Sequence, residues 1–103
     1  MSSETTPIHI EDFKLALEDL TNENIESVLS QLENSLSKLR ETNEYLDNEI
    51  KSNADPDSNT LYQETIAENE QVIKSQLERV AAIKQELAKR GQQSKVEEEG
   101  IYL

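Results

Sequence analysis

Residues 25–50 read IESVLSQLENSLSKLRETNEYLDNEI, and residues 62–87 read YQETIAENEQVIKSQLERVAAIKQEL. In the first stretch Ile25, Leu29, Leu32, Leu36, Leu39, Asn43, Leu46 and Ile50 recur with alternating steps of four and three, which keeps one stripe of a helix turned toward a partner helix. The second stretch repeats the device with Tyr62, Ile66, Asn69, Ile73, Gln76, Val80, Ile83 and Leu87. The two ladders mirror each other, because the residue numbers of paired rungs always sum to 112. Folding back about the intervening segment sets Leu46 against Ile66, Leu39 against Ile73 and Leu32 against Val80. It also sets Asn43, the polar rung of the first ladder, against Asn69. The spacing predicts an all-α protein, an antiparallel two-helix coiled-coil hairpin carrying a short N-terminal helix and a disordered C-terminal tail.

Asn43 and Asn69 read first as a device that sets register. Two amides opposite each other satisfy one another, and a slip leaves each against Leu or Ile at about 1–3 kcal/mol per unsatisfied group. Glu41, Glu44, Glu68 and Glu70 ring this rung, so the same waist is also a candidate grip for a basic partner, although charge runs are commonly just solvated faces. Tyr62 is expected to close the seam near the loop and Tyr45 to sit outside it.

Working outward, residues 1–7 are polar and end in Pro7, an expected disordered lead-in. Ile10, Phe13, Leu17 and Leu20 mark a short amphipathic helix. Thr21 reads as the N-cap of a long helix over about 22–51, with Leu20 and Ile25 spaced as a hydrophobic staple. Residues 52–59 form a cluster of turn residues around Pro56. Thr60 with Gln63 has capping-box spacing for the second long helix, and Asp55 before Pro56 is a rival start. That helix is expected to end near Arg90, with Gly91 as a left-handed cap and residues 91–103 as a flexible acidic tail. Residues 8–90 then make the one domain. At its open end Val28, Leu77, Ala81 and Ala82 broaden the apolar face, offering a seat to the Phe13 helix; alternatively that helix is an arm that binds a partner.

Composition narrows the function. The 103 residues are 34% hydrophobic and 31% charged, with a net charge of −12. Such a charge repels phosphate backbones and anionic lipid, so no nucleic-acid or membrane partner is expected, and a basic protein surface is the natural complement. With no cysteine, thiol chemistry and zinc clusters have no ligands. His9 is the lone histidine, the carboxylates lie along solvated faces, and the two glycines form no phosphate loop; neither enzyme activity nor a cofactor is expected. No apolar leader is visible, which predicts a cytoplasmic and possibly nuclear protein, monomeric or weakly homodimeric.

Ile101, Tyr102 and Leu103 form a hydrophobic-Tyr-any ending. It resembles the HbYX motif by which regulatory particles and chaperones dock into the proteasome α-ring, with the 20S core as the implied partner; a PDZ ligand uses the same free carboxylate. The wider chain carries a second resemblance. Ile8-His9-Ile10-Glu11-Asp12-Phe13-Lys14, Leu32-Glu33-Asn34-Ser35, Thr42-Asn43-Glu44-Tyr45-Leu46 and Glu68-Asn69-Glu70-Gln71-Val72 resemble a fungal family of ATPase-dedicated proteasome-assembly chaperones, also catalogued as translation-machinery-associated proteins. The resemblance implies a non-enzymatic chaperone that brings Rpt-type ATPase subunits together for the regulatory-particle base. The contacts would be Glu41, Glu44, Glu68, Glu70 and Phe13, with the tail as a second contact. A generic coiled-coil scaffold or tether, and a regulator docking on the 20S core, are the alternatives.

Overall fold

The chain is described from a computed structural model, which places the backbone of residues 9–102 and the side chains of residues 9–91. Among the described residues three α-helices follow one another, α1 (Ile10–Glu18), α2 (Asn22–Ser52) and α3 (Asn59–Tyr102), with a 3₁₀ turn at Pro56–Ser58. Among the described residues there is no strand. Backbone contacts divide the chain into two compact units, one made of the residues up to Leu29 with those from Glu78 onward, the other of Ser30–Leu77.

The second unit is an antiparallel helical hairpin. Leu36, Leu46 and Ile73 are buried in it, and the other ladder positions of this unit, Leu32, Leu39, Ile50, Tyr62, Ile66 and Gln76 among them, are at least half-buried. Each fully buried Leu or Ile contributes roughly 1.5–3 kcal/mol, so the seam holds the helices together despite their polar outer faces.

The reversal is made by side-chain chemistry. Asn53 adopts the left-handed region at φ 54°, a conformation its short amide tolerates better than most side chains do. Its N–H donates to the carbonyls of Glu49 at 3.1 Å and Ile50 at 3.0 Å, closing the last turn of α2. Asn59 Nδ2 donates to Asn53 Oδ1 at 2.9 Å, tying the two ends of the loop. Asp55 is extended ahead of Pro56, and Ser58 donates to it twice, from N–H to the carbonyl at 2.9 Å and from Oγ to Oδ2 at 2.7 Å. Here the expected capping box is overturned: Thr60 lies inside α3, and the helical path begins at Pro56, whose fixed φ already suits a first helical position.

In the first unit Leu17, Ile25, Val80, Ala82 and Ile83 are buried. The corner after α1 is held as the sequence suggests, with Asn24 N–H donating to Thr21 Oγ1 at 3.1 Å. Of the small residues flanking the ladder in this unit, Ala82 is buried and Ala81 is exposed. The expected stop at Gly91 is also not taken. Gly91 has no positive φ and α3 runs on to Tyr102. Glycine permits a left-handed cap without requiring one, and Gln92, Gln93, Lys95 and Glu97–Glu99 are residues that favour helix.

Candidate partner-binding surface

The waist of the hairpin is built from α2 and α3 side chains at facing rungs. Asn69 Nδ2 donates to Asn43 Oδ1 at 2.9 Å, and Asn43 Nδ2 points to Glu70 Oε2 at 3.4 Å. Asn43 is buried, so this relay carries its polar head from the seam out to an exposed carboxylate. Gln76 has no such relay: its Oε1 is buried without a hydrogen-bond partner.

Glu41, Glu44, Glu68 and Glu70 are all exposed. At 100° per residue they surround the rung without sharing a face. Glu44 and Glu70 lie on one flank of the seam, Glu68 lies on the other, and Glu41 points straight away from it. Glu70 is the member with a second task, as acceptor for Asn43.

Three apolar side chains of this unit that carried no functional assignment from the sequence are exposed: Tyr45 at 62%, Leu61 at 60% and Val72 at 42%. Their signal was present in the heptads, because all three fall just outside the ladder on the same flank as Glu68. On α2, Asn34, Ser35, Lys38, Leu39 and Thr42 line a shallow groove of about 390 Å³.

In the first unit Phe13 is half-buried under the guanidinium of Arg79, which stands 5.5 Å above the ring centroid. Arg90 makes the other connection. Its Nε donates to Glu86 Oε2 at 2.8 Å, its Nη1 to Asn22 Oδ1 at 2.7 Å and its Nη2 to the Leu17 carbonyl at 3.0 Å. A fixed positive fork thus meets the negative end of α1 and the start of α2 together. The Arg90 hydrogen bond holds the Glu86 carboxyl below its ordinary pKa, with burial opposing and Lys89, 3.5 Å from Oε1, assisting. Sequence reading assigned Arg90 only to the end of its own helix; nothing local announces a contact with residues about seventy positions earlier.

His9 is exposed and precedes α1, where its carbonyl accepts from Phe13 N–H at 3.0 Å. Among the described residues no group of three or more His, Cys, Asp or Glu could hold a metal ion, and no helix is long and apolar enough to cross a membrane. The side chains of Ile101, Tyr102 and Leu103 lie outside the described residues.

Residues 9–94 match a protein family described as the TMA17 helical domain. The chain is 29% identical over 97 residues to translation machinery-associated protein 17 of Saccharomyces cerevisiae, an alignment that takes in 78% of this chain and 65% of the yeast protein. It therefore spans somewhat less than two thirds of that relative's length. No solved structure matches the chain.

Proposed function

This chain belongs to the TMA17 helical-domain family, and from that footing we propose that it is a non-enzymatic assembly chaperone which binds Rpt-type ATPase subunits of the proteasome regulatory-particle base through its helical hairpin. The observation that carries the reading is the waist, where a part-buried Asn43–Asn69 pair fixes two helices while the carboxylates around it stay in solvent. Exposed charges on a fixed backbone steer and orient a basic partner at little conformational cost to the hairpin itself. The action is templating. Two subunits held on one hairpin meet at a raised effective concentration, and the hairpin leaves when later contacts cover its site. No step needs a reacting group.

The test is capture by the immobilised full chain from purified Rpt-type ATPase subunits, with ribosomes offered in parallel because the yeast relative is named for the translation machinery. ATPase subunits should be retained, less so in high salt, and less so by the Glu41→Gln, Glu44→Gln, Glu68→Gln, Glu70→Gln variant. Retention of ribosomes with no ATPase subunit sinks the proposal. Undiminished capture by the quadruple variant moves the contact off the waist, with the Phe13 helix as the next surface to change.

A further inference from the structure

The two flanks of the hairpin are chemically unlike. Because α2 and α3 run antiparallel, corresponding heptad positions of the two helices border the same groove, so each flank can be read as one strip of both helices. One strip carries charges of both signs, including Glu33, Arg40, Asp47, Glu70 and Lys74. The other holds Tyr45, Leu61 and Val72, all exposed, above the half-buried Leu39, with small hydroxyls (Ser35, Thr42, Thr65, Ser75) between them. Lys38, Glu49 and Glu68 are the ionisable groups on that strip, and Glu41 and Glu64 stand along its outer edges. An apolar strip bordered by four carboxylates and one lysine is therefore set into a protein of net charge −12.

We infer that this strip is the docking surface for one amphipathic helix whose apolar stripe is flanked by basic residues. Length fits: Leu61 and Val72 lie three turns apart on one face of α3, roughly 16 Å at 1.5 Å per residue, which an incoming helix spans with apolar residues at i, i+4, i+7 and i+11. Charge selects the occupant. A second copy of the chain would bring Glu49 and Glu68 against their own kind, and this chain's Glu97–Glu99 segment is repelled for the same reason; lysines or arginines beside the stripe meet the bordering carboxylates instead. The inference gives the partner chemistry of the hairpin and rests on reading the hairpin as a partner-binding surface.

Its test uses the full chain and a designed, fluorescein-labelled peptide helix with a leucine stripe and flanking lysines, beside a counterpart whose flanks are glutamate. Fluorescence anisotropy should register binding of the lysine-flanked peptide and none of the glutamate-flanked one. The Tyr45→Ser, Val72→Ser variant should lose at least about tenfold in affinity, because two exposed apolar contacts are removed with no change of charge. Leu77→Ser, which removes an equally exposed apolar residue from the opposite strip, should change affinity less than about twofold, and circular dichroism should show both variants folded. Equal losses in the two variants, or no binding of the lysine-flanked peptide, overturn the inference. So does sedimentation showing a wild-type dimer that the Tyr45 and Val72 changes dissolve, which would hand the strip to a second copy. ATPase subunits are absent from this assay, so its failure counts against the strip alone, and failed capture of ATPase subunits counts against the chaperone assignment.

Discussion

Gln76 and Asn43 sit two levels apart in one seam, with Leu39 and Ile73 between them, yet of the two only Asn43 has its hydrogen bonds made. Gln76→Leu should raise the melting temperature, by about 1 kcal/mol of stability, because a buried amide oxygen without a partner costs that order of energy and its ladder neighbour is Leu36. A lower melting point would show that the oxygen is satisfied. Arg90 is the opposite case. Arg90→Lys should cost about 1–3 kcal/mol, since an ammonium reproduces the charge and not the fork that reaches Glu86, Asn22 and the Leu17 carbonyl at once. This cluster is also pH-sensitive in one direction. The Glu86 pKa is lowered by folding, so its contribution is complete above the ordinary value of 4.5 and is lost as pH falls below it through the folded value. Protection of the α1 amides against exchange, measured by NMR relative to the intrinsic rate at each pH, should fall below about pH 4.5 in the wild type and lose that pH dependence in Arg90→Gln.

At the scale of the elements, the helix ends separate two kinds of signal. Thr21 could be read as a cap because the capping contact lies three residues away, at Asn24 N–H, within reach of local inspection. The ladders were legible for a related reason, namely that a heptad stripe encodes burial directly; all sixteen positions are buried or half-buried. Gly91 and Thr60 were misread where a residue allows two outcomes. Pro56 decides the start of α3 ahead of Thr60, and Gly91 accepts helical geometry as readily as a turn. Gly91→Ala should therefore increase helicity and stabilise the protein by about 0.5–1 kcal/mol, as an added methyl would meet nothing within 4 Å. Destabilisation would restore the left-handed cap. At the loop, Asn53→Ala should cost about 1–2 kcal/mol by removing the amide that makes positive φ tolerable to a Cβ-bearing residue and by deleting the bond to Asn59, whereas Asn53→Gly forfeits only the bond. Cysteines at Leu39 and Ile73 should crosslink within one molecule; a crosslink from Leu39 to Leu39 of a second chain would contradict the hairpin.

For the molecule as a whole, the candidate surface was only half visible in the sequence. The acidic ring could be found by eye, but which carboxylates share a flank depends on the register, and exposure of Tyr45, Leu61 and Val72 depends on which side each helix turns to solvent. Net charge, by contrast, is a property of composition. At −12 the chain repels itself, so its melting temperature should rise between about 10 and 300 mM salt, measured by circular dichroism, as screening relieves the repulsion. A fall would mean that attractive ion pairs outweigh it.

Arg90 has a further consequence, in time. The Asn59–Asn53 and Asn69–Asn43 bonds join residues 6 and 26 apart in the chain, whereas Arg90 reaches Asn22 and Leu17 across separations of 68 and 73. Short loops close at less entropic cost, so the hairpin turn and its amide rung are placed to form early and the Arg90 fork late. A contact absent from the transition state governs how fast the native state is left, not how fast it is reached. In stopped-flow measurements Arg90→Lys should accelerate unfolding and leave the refolding arm of the chevron nearly where it was, which makes this one guanidinium the timer on how long α1 stays down.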